Sequence, residues 1–331
     1  MPDRPNILWI CTDQQRYDTI GALGNPWIRT PNFDRLCREG VAFSHAYCQS
    51  AICSPSRASF LTGLYPSATG VNRNGLPEMP RLPRVRLITH RLAERGYACG
   101  LVGKLHLASA WRGQEQRTDD GYAFWQYSHS PYQGSVETNC YLAWLQSRGV
   151  DPRDVFVQAP DGRYLSYLPD VDPKLHQTTW CADQAIDYVK SRSASPWLLS
   201  VNFFDPHPPF DAPDSCASRC QQRGLPPPLF EPSDLLQQER LVGAYFQGKP
   251  CEPGAREQQQ KASYYGMIEL VDEQVGRILD ALEATGQRER TIVIFMSDHG
   301  EMLGDHGLTQ KGCRFYEGLV RVPLIISWPG H

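Results

Sequence analysis

The sequence predicts an α/β fold with a large, mostly parallel central sheet flanked by helices on both faces. Two observations carry the prediction: short apolar runs alternate with segments of helical period along most of the chain, and several such strand–helix units in succession require a sheet covered on both sides. Asn6–Thr12 reads as a buried strand. Thr30 and Pro31 open a short helix ending at Gly40, with Thr30 as N-cap and Pro31 at the first helical position. Residues 56–62, closed by Gly63, read as another helix start. Residues 87–95 have helical period, stop at Gly96 and lead to a strand over 97–102. A helix over 178–191 leads into a strand over 197–203. The longest helix spans about 256–285 and carries an apolar stripe through Tyr264, Ile268, Val271, Val275, Ile278 and Leu282. It feeds a strand over 291–296, and 322–328 reads as the last strand. The chain is expected to form one domain over 1–331, interrupted by insertions at about 107–176 and 215–254. The first insertion is polar and aromatic, with Trp111, Trp125, Tyr127, Tyr132, Tyr141 and Trp144. The second is rich in Pro and Gln and carries Pro226–Pro228. Such segments either shape a substrate mouth or pack as plain surface loops, and the sequence supports both readings equally.

Composition narrows the function. The 331 residues carry 33 Lys+Arg against 36 Asp+Glu, a net charge of −3, which supplies no basic field for a phosphate backbone and argues against a general nucleic-acid partner. Hydrophobic residues at 41% and charged residues at 21% are ordinary for a globular chain. No apolar run approaches the roughly 18 residues of a membrane helix, so no membrane partner is expected. The stretch after Met1 is too short for a signal-peptide core, and a cytoplasmic protein is expected if Met1 is the native start. Eleven cysteines, odd in number and irregular in spacing, are expected to be reduced, mostly buried thiols; only Cys53 stands apart.

Five polar clusters follow strand ends, where open α/β sheets place their ligands. They are Asp13-Gln14; Cys53-Ser54-Pro55-Ser56-Arg57 with Leu61-Thr62-Gly63; Gly103-Lys104-Leu105-His106; Asp205-Pro206-His207-Pro208; and Ser297-Asp298-His299-Gly300 with Lys311 downstream. The second cluster, Cys53-x-Pro55-x-Arg57, resembles the signature of type I, formylglycine-dependent sulfatases of the alkaline-phosphatase-like superfamily. Pro5-Asn6-Ile7-Leu8, Thr30-Pro31-Asn32-Phe33-Asp34-Arg35-Leu36, Gly103-Lys104-x-His106 and Val322-Pro323-Leu324-Ile325 extend the resemblance over nearly the whole chain. Leu64 stands where many sulfatases have Arg.

The resemblance implies a sulfuric ester hydrolase with the alkaline-phosphatase/sulfatase-like fold, acting on a small-molecule or carbohydrate sulfate ester. It implies that Cys53 becomes 3-oxoalanine (formylglycine), made by a formylglycine-generating enzyme during maturation. The hydrated aldehyde has two hydroxyls on one carbon: one attacks sulfur, and deprotonation of the other expels sulfate, where a serine would be left holding a stable ester. The implied ligands of one divalent metal are Asp13, Gln14, residue 53, Asp298 and His299. Many sulfatases have Asp at the Gln14 position and Asn at the His299 position. Calcium is the family default, and the imidazole of His299 also admits Mn²⁺, with Mg²⁺ a further alternative. Arg57, Lys104 and Lys311 match the family's cationic clamp, His106 the base for sulfate elimination, and His207 the group that assists the leaving alcohol. Asn74 is expected to hold a substrate oxygen, together with Lys104, His207 and Lys311. Asp305 and His306 read as turn residues rather than a second metal site, and His45, His90, His129 and His176 as structural. The alternative functions are a phosphonate monoester hydrolase or phosphodiesterase of the same superfamily, and a non-catalytic sulfate-binding pseudoenzyme. The chain stops at His331, just after the last strand, so a C-terminal subdomain usual in the family is expected to be absent or truncated.

Overall fold

A computed structural model describes residues 4–331 apart from 78, 80–84, 111, 112, 118, 193–195, 240–242 and 244–248; Trp111 thus lies outside the described residues. The strands are β1 (Asn6–Thr12), β2 (Gly40–Ala42), β3 (Ala46–Tyr47), β4 (Ala98–Gly103), β5 (Phe124–Tyr127), β6 (Phe156–Gln158), β7 (Tyr164–Tyr167), β8 (Trp197–Asn202), β9 (Thr291–Ser297), β10 (Arg321–Val322) and β11 (Leu324–Ser327). The main sheet has the order β2-β11-β9-β1-β8-β4-β5. From β9 to β5 every pairing is parallel, and β11 runs antiparallel to both neighbours.

The helices are α1 (Pro31–Arg38), α2 (Cys53–Thr62), α3 (Pro66–Thr69), α4 (Ile88–Glu94), α5 (Cys140–Ser147), α6 (Gln177–Ser191), α7 (Asp214–Gln221), α8 (Pro232–Gln238), α9 (Ala255–Ala284) and α10 (Glu317–Val320). Alternation along β1 sorts them onto two faces. Leu8 and Ile10 join the core under α1, α6 and α9, with Phe33, Trp180, Ile268, Val271 and Leu279. Ile7 and Trp9 face the other way, with Ala58 and Leu61 of α2 and Ile88 and Leu92 of α4. The expected α/β sheet with helices on both faces is what forms.

Several boundaries differ from the sequence reading, each for a physical reason. The last strand is two: Pro323 has no N–H for a ladder, so β10 pairs with β3 and β11 enters the main sheet. Thr30 sits at the N-cap position of α1 without capping it. Its hydroxyl instead bonds Asp34 Oδ1 and the Gly21 amide. The cap comes from Asp272 on α9, whose carboxylate accepts from the amides of Asn32 and Phe33. Helix α2 begins at Cys53 rather than at residue 56, which puts Cys53 in its first turn. The 107–176 stretch supplies the edge strand β5, helix α5 and the β6–β7 hairpin, and it buries Tyr141, Phe156 and Tyr167 in the main core. The 215–254 stretch contributes α7, whose Cys216 packs against Met267 and Leu270 of α9, and α8. None of the eleven cysteines forms a disulfide.

Candidate active site

Because β9, β1, β8 and β4 are adjacent and parallel, their C-terminal ends open on one edge, and four of the five clusters meet there. The fifth arrives on the N-terminal turn of α2. Gly103 lets the β4 end close in: its φ is +90°, and a Cβ there would lie 2.0 Å from the Asn202 carbonyl. That approach allows the Lys104 amide to donate to Asn202 O at 3.0 Å, while Asn202 Nδ2 donates to Lys104 O at 2.7 Å.

Asp13 and Asp298 are fully buried, and cations hold both. Lys104 Nζ lies 2.6 Å from Asp13 Oδ2, and Arg57 Nη2 lies 3.2 Å from the same oxygen. Arg57 Nε is 2.8 Å from Asp298 Oδ2. The other Asp298 oxygen accepts from the amides of Gln14 (3.0 Å) and His299 (2.9 Å). Burial alone would raise the Asp13 pKa, but Lys104, Arg57 and Lys311 outweigh it and hold the carboxylate well below its usual range.

Cys53 Sγ stands at the centre. It is 2.8 Å from Lys311 Nζ, 3.1 Å from His299 Nε2 and 3.7 Å from Asp13 Oδ1. Burial and Asp13 push this thiol up; Lys311, His299 and Lys104 overcome them and bring it below its ordinary value. Lys311 Nζ also donates to Gln14 Oε1 (3.0 Å) and to His207 Nε2 (3.1 Å). Backbone carbonyls place a proton on Nδ1 of both histidines, since a carbonyl can only accept. His207 Nδ1 donates to Pro208 O at 2.6 Å, leaving Nε2 as the acceptor that faces Lys311. His299 Nδ1 donates to Gly300 O at 2.9 Å, so Nε2 is the ring nitrogen that faces Cys53 Sγ. Burial, then the Lys311 charge, hold His207 well below its ordinary pKa and keep it neutral.

One ligand atom from each of Asp13, Cys53, Asp298 and His299 can be chosen so that all lie within 4.8 Å of one another, and all four residues are buried. Two carboxylates and an imidazole whose Nε2 faces the same point fit a divalent cation. Asp305 and His306 are already engaged: Asp305 pairs with Arg16 at 2.9 Å, and His306 stacks on Tyr316 and meets Asp234.

The other expected residues are placed as follows. Asn74 Oδ1 accepts from the Ser54 amide at 2.9 Å, beside the first turn of α2. Lys104, His106 and His207 line an open cleft of about 940 Å³, with Tyr132 and Tyr164 on its walls. Burial, then Lys104 and His129, depress the His106 pKa well below normal. His176 caps α6, while His45 and His90 bond neighbouring side chains. His129, expected to be structural, packs edge-on against His106 at 4.4 Å and lines the same cleft. Sequence reasoning also missed Glu301. Its buried carboxylate accepts from Gln14 Nε2 and from the amides of Leu303 and Gln310, so the Gln14 oxygen is turned toward Lys311. Glu301 follows Ser297-Asp298-His299-Gly300 directly, and that adjacency was the available signal.

Comparison with known proteins agrees with this geometry. The sulfatase family model matches residues 5–331. An arylsulfatase of Clostridium perfringens is 32% identical over 341 residues, covering 99% of this chain and 69% of that protein. The human iduronate 2-sulfatase is 32% identical over 351 residues, covering 99% of this chain and 60% of its own. The crystal structure of a phosphonate monoester hydrolase of Agrobacterium radiobacter superposes with a TM-score of 0.80 at 32% identity, covering 99% of this chain and 69% of that one. With a buried cysteine on a helix N-terminus, two carboxylates and three cations gathered at the sheet edge, this chain belongs to the sulfatase family.

Proposed function

We infer that this protein hydrolyses an organic sulfate ester, using residue 53 as the nucleophile after its conversion to formylglycine. The observation that carries the reading is the convergence of Lys311, His299 and Asp13 on the side chain of residue 53, beside an open cleft. Asp13, Asp298 and His299, with the Gln14 oxygen, would hold the metal, for which we propose calcium; bound there, it supplies charge that favours the ionised form of the residue-53 hydroxyl. Conversion of Cys53 requires a formylglycine-generating enzyme as maturation partner.

Arg57 is bound to both carboxylates and orients the first turn of α2. Lys104 and Lys311 face the sulfuryl oxygens, where negative charge grows in the transition state. As the S–O bond to the alcohol breaks, the leaving oxygen needs a proton. His207 Nε2 accepts from the Lys311 ammonium, so these two residues together form the donor. In the second half, His106 takes the proton of the remaining hydroxyl on residue 53. The C=O bond reforms, and the C–O bond to sulfate breaks. Water rehydrates the aldehyde, so the net reaction consumes one water and yields alcohol, sulfate and a proton.

A second reading, hydrolysis of phosphonate monoesters or phosphodiesters, is favoured by the pairing of Gln14 with His299 and by the likeness to the Agrobacterium enzyme. A rate panel of sulfate esters, phosphonate monoesters and phosphodiesters decides between them, run alongside peptide mass analysis of residue 53. The expected result is formylglycine at 53, fastest turnover of sulfate esters, and loss of all turnover in a folded Cys53→Ala. An unmodified thiol in fully active protein would overturn the nucleophile assignment. Faster turnover of a phosphonate would establish the second reading.

A further inference from the structure

We propose that Glu115 is a positioning residue that fixes the Lys104–His106 loop for the sulfate-release half of the reaction; the proposal rests on the function inferred above. The loop leaves β4 with its backbone in an unusual shape. His106 has φ +60°, the left-handed region that non-glycine residues avoid. In that shape the successive amides of His106 and Leu107 point the same way and form a small anion-binding concavity. The anion filling it is the carboxylate of Glu115: Oε2 accepts from the His106 amide at 2.5 Å and Oε1 from the Leu107 amide at 3.1 Å. Tyr127 OH donates to Oε2 at 3.3 Å from strand β5. Glu115 is 4% exposed.

The loop is therefore held at two points. At Lys104 the backbone carbonyl accepts from Asn202 Nδ2 and from Arg57 Nη1. Two residues further on, Glu115 is the side chain that bonds the amides of 106 and 107. The imidazole of His106 depends on this second anchor, because its Nδ1 is buried without a partner and its ring contact is the edge of His129. A carboxylate suits the site because it only accepts. An amide would present its own N–H group to one of two N–H donors, and charge-assisted bonds to backbone amides are about twice as strong as neutral ones.

The test uses the full chain carrying formylglycine at residue 53, as parent and as Glu115→Gln, with Glu115→Asp as a second variant should the first not fold. Mislocating a base by about 1 Å costs on the order of 10²-fold, and here the loss falls on the second half-reaction. Glu115→Gln is expected to release one equivalent of alcohol per enzyme in a burst and then turn over about 10²-fold more slowly than the parent. Hydrogen exchange of the 106 and 107 amides, followed by mass spectrometry on peptides spanning the loop, is expected to quicken in the variant. A slowed rate without a burst, or unchanged exchange at these amides, would overturn the proposal. A parent that does not hydrolyse sulfate esters would overturn the inferred function instead, and the exchange measurement would still report on whether Glu115 holds the loop.

Discussion

The two ends of strand β1 carry buried polar networks of opposite kinds. At its start, Asn6 and Gln287 meet Trp197: Asn6 Oδ1 accepts from the Trp197 amide, Gln287 Oε1 accepts from the indole Nε1 at 3.0 Å, and Gln287 Nε2 donates to Val189 O at 2.9 Å. Every group there is neutral, and donors match acceptors. At its far end, Asp13 lies among Arg57, Lys104, Asp298 and Lys311, so three cations face two carboxylates around a thiol. Burying such charges costs more than an apolar core of the same volume. The first network ties the first strand to the chain's later elements, whereas the second is assembled for an anion.

The comparison can be broken at three points, in order of expected effect. At the charged end, His207→Ala is expected to slow esters of poor leaving groups by about 10²–10⁴-fold and to spare nitrophenol-like esters, whose oxygen needs little proton help. A rate series over graded alcohol acidity checks this, and parallel slopes for parent and variant would leave His207 a binding role. At the neutral end, Gln287→Ala leaves the Trp197 indole N–H unpaired, while the Val189 carbonyl keeps its bond from the Arg192 amide. It is expected to lower stability by about 1–3 kcal/mol in urea unfolding without changing turnover of the folded enzyme. The third concerns pH, and its effect per pH unit is the smallest of the three. Burial pushes the Asp205 carboxyl, at the start of the His207 loop, up to about 8. The unfolded chain ionises this group near pH 4 while the fold keeps its proton, so its contribution to stability declines as pH rises from about 4 to about 8. Asp205→Asn is expected to remove that decline, worth up to about 1.4 kcal/mol per pH unit within the window, and unfolding curves at pH 5, 6 and 7 measure it.

Much of this was legible in the sequence because the sheet is parallel and buried. Strands such as Asn6–Thr12 read as continuous apolar runs, and a parallel sheet places its functional residues just after those runs. Position after those runs singled out the clusters that hold Asp13, Lys104, His207 and Asp298, and the family resemblance supplied the role of each. The illegible parts depend on contacts across long separations. Nothing local to Thr30 announces that Asp272, 242 residues later, caps α1 in its place. Glu115 and His129 lie in a polar, aromatic stretch with no strand-end motif, and only the fold brings them against His106. The edge strand β5 is four residues long, too short for its period to stand out.

The central place of β1 has a consequence for how the chain is made. Among the described strands it is the first to leave the ribosome, yet it pairs on one side with β8, where Ile7 meets Leu198, and on the other with β9, where Asn6 meets Thr291. At about 5–20 residues per second, its second partner emerges roughly 15–60 s after it does. During that interval Asn6–Thr12 is an apolar segment with unsatisfied edges, the kind of stretch that pairs with other chains. Slower translation or scarce chaperone would thus lower the yield of soluble protein before any property of the finished site came into play.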